Sequence, residues 1–130
     1  MKLMRRRLFL LSALVVLPTA AASHPSLIPY PQKIEWTGLT LECARYSVQA
    51  PPEGRFAAAE LERILMAAGA QPGAGGAKII FRVARVEVPN PVGASEAYSL
   101  GVTTRAVVIT APKANGLLYG VETLRQLVVR

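Results

Sequence analysis

The sequence contains no aspartate; its eight acidic residues are all glutamates. It has one cysteine, Cys43, one histidine, His24, and one tryptophan, Trp36, and aromatic residues make up only 6% of it. A single cysteine forbids an intrachain disulfide, even in an oxidising compartment that would allow one. A metal centre needs His, Cys or acidic side chains at ligating spacing, and nothing here supplies that, so no metal or cofactor is expected. The apolar run from Leu8 to Leu17 is too short to cross ~30 Å of hydrocarbon, which takes roughly 20 residues. Beyond the first 23 residues the basic side chains, among them Arg45, Arg63, Arg82 and Arg105, are scattered. A nucleic-acid interface would need them gathered into a stripe, so no nucleic-acid partner is expected.

What is present begins with an address. Lys2, Arg5, Arg6 and Arg7 precede the apolar run, and Pro18 and the small residues Thr19 to Ser23 follow it. A basic start, a short apolar middle and a small-residue exit make a secretory signal peptide over residues 1–23. The expected product is exported to the periplasm or secreted, with no membrane association after cleavage near Ala22 or Ser23. The net charge of +7 comes from 15 basic and 8 acidic side chains. Four basic residues lie in the leader, so the remaining 107 residues carry 11 against 8, or +3. That length suits one domain with a modest core.

Along residues 24–130, Pro25, Pro29 and Pro31 favour an extended lead-in. The stretch LTLECARYSVQA alternates like one or two short strands, with Tyr46 and Val48 on the side opposite Ser47. Cys43 in this stretch reads as a small buried hydrophobe rather than a nucleophile. A helix is expected from about Glu53 to Ala68, because Ala57, Leu61, Ile64, Leu65 and Ala68 form one apolar stripe with Glu60, Glu62 and Arg63 outside it. Gly69 is its natural stop. The glycines of QPGAGGA follow a helix and precede the strand KIIFRVARV. A phosphate-binding loop runs from strand into helix, so this segment is a connector. In EAYSLGVTTRAVVIT, Tyr98, Leu100 and Val102 share a face, and a turn near Thr104 and Arg105 returns the chain as a hairpin.

The final helix, with Asn115 as its expected cap, carries two faces. Leu117, Val121, Leu124 and Val128 form the stripe expected to lie on the sheet. Gly116, Gly120, Thr123 and Leu127 form a second one. A glycine inside a helix costs about 1 kcal/mol against alanine, so Gly120 implies close approach by another backbone. A two-layer domain of this size has little left to cover a second stripe, so this face is expected to dock a neighbour outside the domain. Glu122 and Arg125 are placed to pair. Glu60, Glu62, Glu96 and Glu122 show no convergence on a sugar-sized gap of roughly 5 to 10 Å and are read as surface acids.

The segments LIPYPQKIEWTGLTL, EAYSLGVTTRAVVITAP and NGLLYGVETLRQLV together resemble the small N-terminal domain of secreted β-N-acetylhexosaminidases, the family 20 glycoside hydrolases. The resemblance runs from about Leu27 to Val129 and is most specific over Gly116, Tyr119, Gly120, Thr123, Leu124, Gln126 and Leu127. Thr104-Arg105 departs from the glycine-containing turn common in the family. The resemblance implies a sheet covered by helices, packed against a (β/α)8 barrel that carries catalysis. There the reaction is substrate-assisted: the sugar's acetamido oxygen attacks, a glutamate acts as general acid, and an aspartate steadies the acetamido group. This chain has no aspartate and is too short for a barrel of ~250 residues, so no catalytic residue carries over.

The expectation is an α+β domain, a small two-layer sandwich of a mostly antiparallel sheet covered by about two helices. It would be the N-terminal domain of an exported glycosidase, present here as a fragment or truncated product. Its partner would be a catalytic barrel in cis, through which alone it meets a glycan. The alternative is a free-standing secreted module that binds carbohydrate or protein.

Overall fold

The computed structural model describes residues 7–12, 35–88 and 94–129. His24, Ile34 and most of the leader lie outside the described residues. Among the described residues, eight strands and two α-helices follow in the order β1 (Arg7–Ser12), β2 (Glu35–Glu42), β3 (Arg45–Gln49), α1 (Arg55–Ala67), β4 (Gln71–Pro72), β5 (Ala77–Val83), β6 (Ser99–Val102), β7 (Ala106–Ala111), α2 (Ala114–Leu127) and β8 (Val128–Val129). The main sheet has five strands in the order β4-β3-β5-β7-β6, and a second sheet has the order β2-β1-β8.

The α+β class and the two helices are as expected, but the strand directions of the main sheet are not. β3 runs parallel to both β4 and β5, β5 runs parallel to β7, and only the β6–β7 hairpin is antiparallel. The reason is connectivity. Helix α1 carries the chain from β3 back to the starting end of β5, and a return of that kind makes neighbours parallel. The sheet is therefore mixed.

Alternation along the strands gives the sheet two different faces. Tyr46, Ala77, Ile79, Phe81, Val107, Ile109, Leu100 and Val102 are all buried on the helix side. Their registered pairs, such as Tyr46 with Ala77 and Phe81 with Ile109 with Leu100, run straight across the sheet. The side chains between them, including Ser47, Gln49, Lys78 and Arg82, are exposed on the opposite face. The two helices pack against each other over the buried face, and a single hydrophobic cluster joins both helices to the sheet.

Helix α1 buries Ala57, Leu61 and Leu65 at helical spacing, with Ala68 just past its end. It stops where predicted. Gly69 takes φ 90°, and the amides of Gly69 and Ala70 bond back to the carbonyls of Met66 and Leu65, closing the orphan acceptors of the last turn. The glycine-rich connector is held by β3: the amide of Gly73 donates to Tyr46 O at 2.8 Å, and Gly75 sits at φ 85°. The β6–β7 turn is tied by Thr103, whose hydroxyl accepts from the amides of Arg105 and Ala106. A threonine hydroxyl thus stabilises a turn that lacks glycine. Helix α2 begins two residues earlier than expected, with Lys113 in the cap position, and Asn115 accepts from the amide of Gly116 inside the first turn.

Strand β1 falls inside the segment expected to be the leader. It pairs antiparallel with β2 from Arg7 opposite Glu42 to Ser12 opposite Glu35, and with β8 through Arg7 opposite Val129 and Leu8 opposite Val128.

Candidate functional site

The four residues expected to dock a neighbour are Gly116, Gly120, Thr123 and Leu127, and all four are buried within the chain. A Cβ on Gly116 would lie 2.5 Å from the carbonyl oxygen of Ala97 and 2.7 Å from the Cβ of Ala111. One on Gly120 would lie 2.5 Å from Ile109 Cγ2. Thr123 is buried and its hydroxyl hydrogen-bonds the Tyr98 hydroxyl, while Leu127 has no exposed surface. Gly120 does mark a close approach, but by the Ile109 side chain rather than by another backbone, and the neighbour lies within the chain. It is β7 and the segment entering β6, which lets α2 sit low on the sheet and bury both of its stripes. The docking expectation for this face is therefore corrected.

The outward side of the helix layer has the opposite character. On α1, Phe56, Ala59, Arg63, Met66 and Ala67 fall at i, i+3, i+7, i+10 and i+11, one stripe turned away from the core, and all five are exposed. Phe56 is 67% and Met66 58% exposed, and Tyr119 on α2 is 40% exposed. Three of the four large apolar side chains that stand exposed among the described residues therefore lie on the helices, the fourth being Val83. Toward the far end of the helices a groove of about 620 Å³ opens between them, lined by Arg63, Ile64, Ala67, Glu122, Arg125 and Val128. Its two arginines are paired along their own helices, Arg63 to Glu60 at 2.9 Å and Arg125 to Glu122 at 3.1 Å. Exposed pairs of this kind contribute about 0–1 kcal/mol and leave the groove nearly neutral.

No catalytic constellation forms among the described residues. Glu60 and Glu122 are engaged in ion pairs and Glu96 lies exposed in a 3-10 turn before β6. No group of three or more His, Cys or Glu side chains is arranged to hold a metal among the described residues. Cys43 is fully buried, and burial pushes its thiol up from 9.0 to about 11, the reverse of what a nucleophile needs. Tyr46 is buried with an unpartnered hydroxyl, and burial, then the charge of Glu62, then Cys43 raise its pKa. A thiol held neutral in the folded state stabilises it below about pH 9, and that contribution is lost as pH rises from about 9 to about 11. Urea titrations of the chain and of Cys43→Ala across this range should show the steeper decline only in the parent.

The fold is thus that of a small α+β module, a mixed sheet covered on one face by two helices. Residues 24–130 match the family model for glycosyl hydrolase family 20, domain 2, and the chain belongs to that family. Among solved structures it is similar to the family 20 β-N-acetylhexosaminidase of Streptomyces coelicolor A3(2), at 33% identity and a TM-score of 0.49, over 64% of this chain and 17% of that one. It is also similar to a family 138 enzyme targeting pectin rhamnogalacturonan II, at 17% identity and a TM-score of 0.45, over 59% of this chain and 12% of that one. The chain thus spans less than a fifth of the length of either enzyme. No curated protein matches it. Among the described residues no helix is long and apolar enough to cross a membrane.

Proposed function

We propose that this chain is the non-catalytic domain of an exported β-N-acetylhexosaminidase-like glycoside hydrolase, and that it works by packing beside a catalytic (β/α)8 barrel of the same polypeptide. The observation that carries this reading is the family match over residues 24–130 in a chain without a single aspartate. Substrate-assisted cleavage of an N-acetylhexosaminide needs one group to donate a proton to the leaving oxygen and another to hold the acetamido group against the anomeric carbon. The family uses a glutamate and an aspartate, and the second is missing here. The barrel would supply both. The parent enzyme would release terminal N-acetylglucosamine or N-acetylgalactosamine from glycans or chitin oligomers. The basic start, short apolar run and small-residue exit of residues 1–23 support export to the periplasm or the medium.

The test has two arms. The chain itself, given an aryl N-acetylglucosaminide, should release no product, and measurable turnover would overturn its non-catalytic role. The reading frame that encodes it should continue into a barrel containing an adjacent Asp-Glu pair, and the whole product should turn the same substrate over. A frame without such a barrel would sink the enzyme reading in favour of a secreted binding module.

A further inference from the structure

We infer that the open face of the main sheet is a binding surface for an anionic polysaccharide, a contact with glycan separate from any that the barrel makes. The inference goes beyond the proposed function and takes from it only that the protein meets glycans outside the cell. Strands β3 to β7 contain no acidic residue, and their charged side chains are Arg45, Lys78 and Arg82, all exposed. Arg105 joins them from the β6–β7 turn, where its carbonyl accepts from the Lys78 amide at 3.1 Å. These four are scattered in the sequence, and the strand registers gather them. Tyr46 pairs with Ala77 and Ser47 with Lys78, which makes Arg45 and Lys78 diagonal neighbours with Cα atoms about 8 Å apart. Arg82 stands four residues further along β5, about 13 Å away on the same face.

Among the described residues no ion pair reaches this patch. The pairs that form are on the helices, Arg63 with Glu60 and Arg125 with Glu122, so the two layers differ in how their cations are compensated. The Arg45 stem lies along Gly73, whose added Cβ would come 3.0 Å from Arg45 Cδ, and the residue stays exposed. Ser47 and Gln49 stand exposed beside the charges, and Thr110 pairs with Arg82; their hydroxyl and amide groups suit sugar hydroxyls. An anionic lipid surface is bound by faces with apolar or aromatic side chains to insert. Ile80 and Val108 on this face are instead half-buried. Single-stranded nucleic acid stacks its bases on aromatics, and Tyr46 and Phe81, the aromatics of these strands, are buried on the helix side. A linear polymer with an acidic group on successive sugars needs spaced cations and hydrogen-bonding groups on a flat surface, and the strands provide both.

The experiment is binding of the full-length polypeptide to sodium alginate, a polymer of uronic acids, with dextran as the uncharged control. Alginate alone should bind, held at about 0.01 M ionic strength and released at about 1 M, as the Debye length falls from about 30 Å to about 3 Å. At about 0.1 M, where screening confines each charge to about 10 Å, the double variant Lys78→Glu, Arg82→Glu should raise the Kd for alginate about tenfold or more. The double variant Arg55→Glu, Lys113→Glu removes the same charge from exposed positions on the helix layer and should change the Kd by less than about twofold. Circular dichroism checks that both keep their fold. Equal losses from the two double variants would reduce the effect to net charge and overturn the surface. Phosphatidylglycerol vesicles bound as tightly as alginate would overturn it in favour of a membrane. An enzyme that turns over an aryl N-acetylglucosaminide yet leaves alginate unbound at low salt overturns this inference and leaves the proposed function standing. A polypeptide that binds alginate through Lys78 and Arg82 but has no barrel supports the surface and sinks the enzyme reading.

Discussion

The two helices of this domain are nearly the same length, 13 residues in α1 and 14 in α2, and both look amphipathic, yet they serve opposite sides. Helix α2 buries seven residues, among them Gly116, Gly120 and Thr123, and uses its small side chains to come close to the sheet. Helix α1 buries four, and leaves its largest outward side chains, Phe56 and Met66, exposed. A stripe of small residues in a helix is thus a sign of intimate packing with whatever lies beneath, while exposed bulk marks the side turned away from the core. The two signals are easily exchanged when only the sequence is in view.

The largest expected effect comes from filling the α2 seam. Gly120→Leu drives a branched side chain into Ile109, and overpacking of this kind should lower the unfolding free energy of the chain by about 3 kcal/mol or more, read by urea denaturation. A loss below about 0.5 kcal/mol would mean that α2 does not sit low on the sheet, and the contrast between the helices would dissolve. Tyr98→Phe removes the hydroxyl that meets Thr123 and should cost about 1 kcal/mol; a matched Thr123→Val change should add little once the Tyr98 hydroxyl is gone, as a double-mutant cycle would show. At the small end, Phe56→Ser should shift the stability of residues 1–130 by no more than about 0.5 kcal/mol. A large loss there would make Phe56 a core residue of this domain and remove the asymmetry.

Most of the fold was legible because local periodicity carries it. The stripe Ala57, Leu61, Leu65 and Ala68, the stop at Gly69, and the alternation of Tyr98, Leu100 and Val102 are properties of a few consecutive residues, and the structure realises each. Strand direction was not legible, since it depends on how α1 returns the chain to β5 beside β3, and no short stretch encodes that. The exposure of Tyr119 on α2 was not legible either. An aromatic at helical spacing reads as core until the neighbouring layer is known. Gly116 and Gly120 announced a contact correctly, but a missing side chain cannot name what fills the space. The family signal, in contrast, was strongest in the C-terminal hairpin and helix, where Gly116, Gly120 and Thr123 are constrained from below by Ala97, Tyr98, Ile109 and Ala111.

Strand β1 has a further consequence. It lies between β2 and β8, and among the described residues it is the sole ladder neighbour of each. If residues 1–23 are a cleaved leader, signal peptidase acting near Ala22 would carry it off, leaving the edge of β2 with unsatisfied main-chain donors and acceptors of the sort that invite adventitious strand addition. Precursor and processed protein would then be two successive folding problems sharing one amino-acid text, and translocation would have to win its race before the first was solved.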